Sequence, residues 1–178
     1  MKYIALLRGI NVAGHRKIKM QDLRKFLETA GFEQVQTYIQ SGNLILEKPG
    51  VGSKGIAGMI KELIWSNFGF EVPVVALEGN YVTEIISAYP FEAELSEKHF
   101  VFLATEVFSR DFERGKTYTN GADEFQLGSH GVYLKIPGKY HQTKLSNAFF
   151  EKKLGVETTT RNWKTILKLE ELIHFTKD

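Results

Sequence analysis

Two stretches of the chain concentrate the residue types that hold anions. Arg8–Lys25 carries six cations (Arg8, Arg16, Lys17, Lys19, Arg24 and Lys25) against one acid, Asp22. Lys139–Lys168 carries seven cations against Glu151 and Glu157. Each is net +5 in a chain whose total is only +2, and the segment between them is net acidic. Two solvated basic faces would give the same count, so the setting of the charges has to discriminate. In both stretches the cations flank expected helix starts: Lys17 and Lys19 before Met20, Lys144 before Leu145, and Arg161 and Lys164 around Trp163. A helix start exposes unsatisfied N–H groups and the positive end of the dipole. Cations there cost about 0.3–1 kcal/mol each at exposed sites. A bound anion reverses that mismatch. Arg8, Asn11, Ser41, Asn43, Lys144, Arg161 and Asn162 are therefore the candidate ligand contacts. The ligand class is a nucleotide or a phosphorylated or carboxylated small molecule.

Other chemistries find less support. His15, His99, His130, His141 and His174 show neither metal-ligand spacing nor clustered carboxylates, so no metal is expected. There is no cysteine, which removes thiolate ligands, cysteine nucleophiles and disulfides, and suits a reducing, cytoplasmic setting. No nucleophile elbow or phosphate loop is present. An enzyme acting on the same ligand would use His15 or His141 as general acid/base. Gly50-Val51-Gly52-Ser53-Lys54-Gly55 matches G-x-G-x-x-G, with Glu78 at a suitable distance for a ribose-binding acid. The strand before it belongs to a hairpin, Pro49 interrupts the connection, and no further parallel βα units follow. A flexible loop fits better, and no cofactor is expected. A nucleic-acid binder would use the basic stretches with stacking tyrosines such as Tyr38, Tyr133 and Tyr140, but no RNA-binding motif accompanies them.

The elements that position these residues follow from hydropathy. Tyr3–Leu7 is a continuous apolar run, the mark of a strand buried on both faces. Met20, Leu23, Phe26, Leu27 and Ala30 recur at helical spacing, and Gly31-Phe32 stops that helix. Gln34–Gln40 alternates as a strand with Val35, Thr37 and Ile39 on one side. Ser41-Gly42-Asn43 turns it into Leu44–Glu47. A helix on Ile56–Phe68 and a strand on Val72–Leu77 complete strand–helix–strand–strand–helix–strand, the ferredoxin-like order.

A helix at Tyr81–Ala88, closed by Tyr89-Pro90, and an acidic stretch at Glu92–Glu97 then link to a second round. That round contains a strand at Phe100–Leu103, a short helix from Ser109 to about Arg114, and a hairpin around Ser129-His130-Gly131. It ends with a helix at Leu145–Leu154, a strand at Val156–Thr160 and a last amphipathic helix from about Trp163. The expected fold is α+β: two ferredoxin-like (βαββαβ) repeats with antiparallel sheets plus a C-terminal helix. The halves are 1–78 and 98–178, with 79–97 between them.

In such a half the first two strands run the same way. The loop after strand one and the turn after strand two then share an edge, bringing Arg8 and Asn11 towards Gln40–Asn43 and leaving Gly50–Gly55 on the other edge. In the second half the loop after strand three and the end of strand four share an edge, which gathers Lys144 with Arg161 and Asn162. No secretion leader is expected, since Ile4–Leu7 is too short and Arg8 ends it. No apolar run approaches the roughly 20 residues a spanning helix needs, so no membrane partner is expected.

YIALLRGINVAG, TYIQSGNLIL and KLSN…LG…TTTRNWKTILKL, in that order, resemble the bacterial family called domain of unknown function 1697. The likeness runs through most of the chain, including Pro90-Phe91. It implies an α+β, cytoplasmic protein built from ferredoxin-like repeats, and it brings no activity with it. Ala13-Gly14 stands where the family pattern usually has two glycines, and Lys164 where asparagine is frequent. The Gly50–Gly55 loop is not part of the pattern.

Overall fold

A computed structural model describes residues 1–107 and 122–175. The chain divides into two compact units, Met1–Tyr81 with Leu169–Asp178, and Val82–Lys168. The first contains β1 (Lys2–Leu7), α1 (Met20–Thr29), β2 (Glu33–Tyr38), β3 (Asn43–Glu47), α2 (Ser53–Phe68) and β4 (Val74–Glu78). Its sheet has the order β2-β3-β1-β4, antiparallel throughout. α3 (Asn80–Ser87) follows, falling mostly in the second unit. The second unit's strands are β5 (Lys98–Leu103), β6 (Glu124–Gly128), β7 (Gly131–Lys135) and β8 (Thr158–Asn162), in the order β6-β7-β5-β8. A 3-10 turn at Tyr140–Gln142 and α4 (Asn147–Leu154) lie between β7 and β8. α5 (Trp163–His174) begins in the second unit, and its last turns belong to the first. The repeated antiparallel order is the duplicated ferredoxin-like plan. The short helix expected at Ser109–Arg114 lies outside the described residues.

Local sequence explains most boundaries. β1 is buried on both faces, with Tyr3 through Leu7 at most 7% exposed. Leu7, Leu23, Leu27, Leu44 and Leu46 join Ile56, Ile60 and Ile64 of α2 in the first core. α1 ends as its sequence indicates: Gly31 takes φ +78, Gly31 N–H donates to Glu28 O, and Phe32 N–H donates to Leu27 O, both at 3.0 Å. Lys2 Nζ donates to the carbonyls of Ile173 and Phe175 at the C-terminal end of α5, where a cation is favoured. The second core gathers Val101, Val132, Leu134, Ile136, Leu145 and Phe150. No described helix is long and apolar enough to cross a membrane.

β2 departs from simple alternation. Gln34 adopts φ +51 and the pairing with β3 shifts between Glu33 and Gln36, a bulge. The strand stops at Tyr38, and Ile39 leaves the sheet, 52% exposed with φ +50. Only Gly42 in the Ser41–Asn43 stretch takes a positive φ; Asn43 is the first residue of β3 and fully buried.

Candidate functional site

After β1 the backbone makes an unusual excursion. Gly9, Asn11, Ala13, Gly14 and Arg16 all take left-handed conformations, with φ between 47° and 79°. Glycine does this freely and asparagine tolerates it; Ala13 and Arg16 each lose about 1 kcal/mol or more. The loop is compensated from within. The Asn11 amide donates to Ile18 O and to Gln40 O, and its Oδ1 accepts from Ile18 N, all at 2.9 Å. Asn11 N–H donates to Arg16 O and His15 N–H to Val12 O, closing the tip. Buried Ile10 and Ile18 anchor the base, leaving Val12 through Lys17 exposed. Lys19 is the N-cap residue of α1, whose start has no side-chain cap, and Asp22 lies in its first turn.

The turn between β2 and β3 meets this loop, as topology requires. Leu7 N–H donates to Gly42 O at 2.8 Å, and the Asn11–Gln40 bond spans the gap. A Cβ on Gly42 would lie 2.6 Å from Leu7 Cβ, so glycine serves here for both φ and space. Asn43 Nδ2 donates to Tyr38 O and Ser41 Oγ at 3.1 and 3.0 Å. Arg8, Asn11, Ser41 and Asn43 thus come together on one edge. The amides of Asn11 and Asn43 serve the frame of that edge, Arg8 is half-buried, and Ser41 is exposed. The Gly50–Gly55 stretch lies at the other edge: Gly52 is the N-cap residue of α2, and Lys48 Nζ reaches the carbonyls of Ala30 and Gly31.

In the second unit, β8 pairs antiparallel with β5 and is tied to α4 by threonine hydroxyls. Thr158 and Thr160 Oγ1 donate to Asn147 Oδ1 at 3.1 and 2.8 Å, and Thr158 N–H donates to Glu151 Oε1. Thr159 Oγ1 accepts from Arg161 Nη1 at 2.8 Å, and Thr160 O accepts from the same nitrogen. Burial pushes the Arg161 guanidinium down to about 10, opposed by neighbouring Tyr140, so it remains charged at neutral pH. The Tyr140 ring stacks on His99 at 4.9 Å. Burial lowers the His99 pKa, partly offset by the Glu97 carbonyl 3.1 Å from Nδ1.

Asn162 Oδ1 caps α5 by accepting from Thr165 N at 2.9 Å, and Ser146 caps α4 through Phe149 N. Lys144 is exposed in the loop before α4. Beside the β5 start, Lys98 Nζ lies 4.7 Å above the Tyr89 ring, which packs edge-on to Trp163 at 4.7 Å. Tyr89, donating to Leu134 O, is pushed up to about 12 by burial and by Glu97 and Glu124. The sequence marked Tyr89 only as a helix stop.

His15 and His141 are exposed, and neither ring makes a hydrogen bond among the described residues. No three potential metal ligands cluster among those residues.

A family model described as "Protein of unknown function (DUF1697)" matches residues 1–133. The match takes in the RGINVAG and TYIQSGN stretches and stops short of TTTRNWKT. No curated protein was found to match. A conserved bacterial protein from Streptococcus pneumoniae is structurally similar, with a TM-score of 0.72 and 22% identity over 97% of this chain and 98% of that one. At that identity the likeness speaks to fold.

Proposed function

The chain belongs to the DUF1697 family, whose function is unknown, and we propose that it binds an anionic small molecule at the Arg8–Lys19 edge of its first unit. The ligand class is a nucleotide or a phosphorylated or carboxylated compound. One observation carries the proposal: the chain maintains two strained non-glycine residues, Ala13 and Arg16, in a loop that presents Arg16, Lys17 and Lys19 beside an α1 start lacking a side-chain cap. Strain of this kind concentrates at ligand-binding segments. Arg8 and Ser41 border the loop, and Asn11 and Asn43 fix its shape. Lys144, Arg161 and Asn162 are the second group of candidate contacts, and Thr159 accepts from the Arg161 guanidinium. Binding is favoured over catalysis because no hydrogen bond among the described residues orients His15 or His141 as an acid or base.

The test is thermal shift with pyrophosphate, nucleotides, citrate and short RNA, on the parent, on Arg16→Ala/Lys17→Ala and on Arg161→Ala. A ligand at about 100 times its dissociation constant stabilises the parent by about 2.7 kcal/mol. The first variant should lose that shift, and Arg161→Ala should keep it. A shift unchanged in Arg16→Ala/Lys17→Ala, or none with any anion, overturns the proposal. A response confined to RNA and falling steeply with salt would replace it with nucleic-acid binding.

A further inference from the structure

The second unit contains a cleft of different chemistry. It encloses about 340 Å3 between α3 and the β6–β7 turn. Glu84 and Ser87 line it from the helix, and Gln126, Ser129, His130 and Tyr133 from the hairpin. Among the described residues no lysine or arginine takes part in the lining, although the chain as a whole is basic. The two walls are joined by His130 Nε2 and Glu84 Oε2 at 2.9 Å. The imidazole is largely shielded, at 21% exposure, while the carboxylate is 57% exposed and open to a second partner.

The backbone of the turn is built for this approach. A Cβ on Gly128 would run into the Tyr133 ring, and one on Gly131 into Val101 O. Two glycines therefore let the turn close over Tyr133 and set His130 against α3. The Glu84 charge acts on Tyr133, whose hydroxyl pKa is raised first by burial and then by that carboxylate. Ser87 Oγ donates to Glu84 O at 3.0 Å, which leaves its oxygen to accept.

We propose that this cleft binds a small organic cation, an ammonium or guanidinium group seated on the Glu84 carboxylate. An anion there would face Glu84 with no described lysine or arginine in the lining to offset it. A neutral ligand would desolvate the carboxylate without compensating its charge. A cation satisfies the carboxylate and can donate its remaining N–H groups to Ser87, Ser129 and Gln126. The volume is at the low end of ligand pockets, which suits a ligand of a few heavy atoms. His130 is the competitor from within the protein, since its Nε2 already contacts the same carboxylate. The proposal stands independently of the anion site in the first unit.

The experiment is an amide NMR titration of the full chain with propylammonium and methylguanidinium, with inorganic phosphate and glycerol as the anionic and neutral arms. A cation should produce saturable shifts at Ser87 and Ser129–Gly131. Glu84→Gln should weaken binding about tenfold or more, as expected for loss of a charge-assisted contact. His130→Gln keeps the carboxylate and should bind the cation at least as tightly. The assignment is overturned by any of four results: no saturable shift with either cation, equal affinity in Glu84→Gln, loss of binding in His130→Gln, or preferential binding of phosphate or glycerol.

Discussion

The β2–β3 and β6–β7 hairpins occupy the same place in their sheets, yet they turn by different means. The first uses a four-residue connection, Ile39–Gly42, with one residue in strained backbone and a single essential glycine. It is tied to its neighbour by an amide, Asn11, donating to Gln40 O. The second uses two residues, Ser129-His130, between glycines that lie hard against other groups, and is tied to α3 by a titratable pair. The ferredoxin plan sets where a loop emerges. The side chains holding it decide whether the turn is tied by an uncharged amide or by an imidazole–carboxylate contact.

The largest expected effect tests how much each turn depends on missing side chains. Gly131→Ala places a methyl against a main-chain oxygen that cannot move aside, and should cost about 3 kcal/mol or more. Gly42→Ala combines a left-handed φ with a contact to Leu7 Cβ and should cost about 2–3 kcal/mol. Urea unfolding measures both. A cost below 1 kcal/mol at Gly131, about the size of ordinary surface changes, would mean the second turn is more adaptable than its packing implies.

Next comes the amide frame. Asn43→Ala removes a fully buried amide that donates two hydrogen bonds in the turn, and Asn11→Ala strips the opening loop of three. Each should cost about 1–3 kcal/mol, because backbone partners are left unsatisfied. Asn11→Ala should also speed amide exchange at Asn11 and Ile18, while leaving Ser129–Gly131 unchanged. Faster exchange at both hairpins would remove the distinction between them.

The legibility of the sequence divides along the same line. Tyr3–Leu7, the Gly31-Phe32 stop and the glycine hairpins are encoded within a few residues, so periodicity and turn chemistry suffice. Asn11 gives no local sign that it clamps a carbonyl 29 positions away. As a residue type it suits a ligand contact equally well. Asn43 invites assignment to the turn, yet within Ser41–Asn43 Gly42 alone supplies the positive φ. His130 and Glu84 are 46 positions apart, and only the folded sheet makes them a pair. The three threonines before Arg161 alternate between two helix contacts and one guanidinium contact, a division invisible until α4 is placed beside β8. Ile39 leaves the face shared by Val35 and Thr37 because the strand ends at Tyr38 and its own backbone takes φ +50.

Displaced titrations at Tyr89, His99, Tyr133 and Arg161 all lie in the second unit, so acid should act there through His99. Its folded pKa lies below the ordinary 6.5, and the unfolded chain therefore binds the proton first. Stability is complete above about pH 6.5, falls as pH drops towards the folded value, and levels off below it. Trp163 fluorescence in a Trp65→Phe background would follow the second unit. His99→Phe should flatten the acid loss, and parallel profiles in parent and variant would exclude His99 as its source.

The smallest effect concerns Ile39, the counterpart in the first turn of the shielded His130 in the second. A β-branched residue at φ +50 is strained by about 1 kcal/mol or more, and its side chain recovers little at 52% exposure. Glycine removes the strain but loosens the unfolded chain, which offsets part of the gain. Ile39→Gly should therefore stabilise the protein by about 0.5 kcal/mol. If it destabilises instead, the exposed side chain has packing partners that its solvent exposure does not reveal. If it stabilises while weakening anion binding at the neighbouring Arg8–Lys19 loop, the strain at Ile39 is retained for the ligand, and the two hairpins differ in purpose as well as in construction.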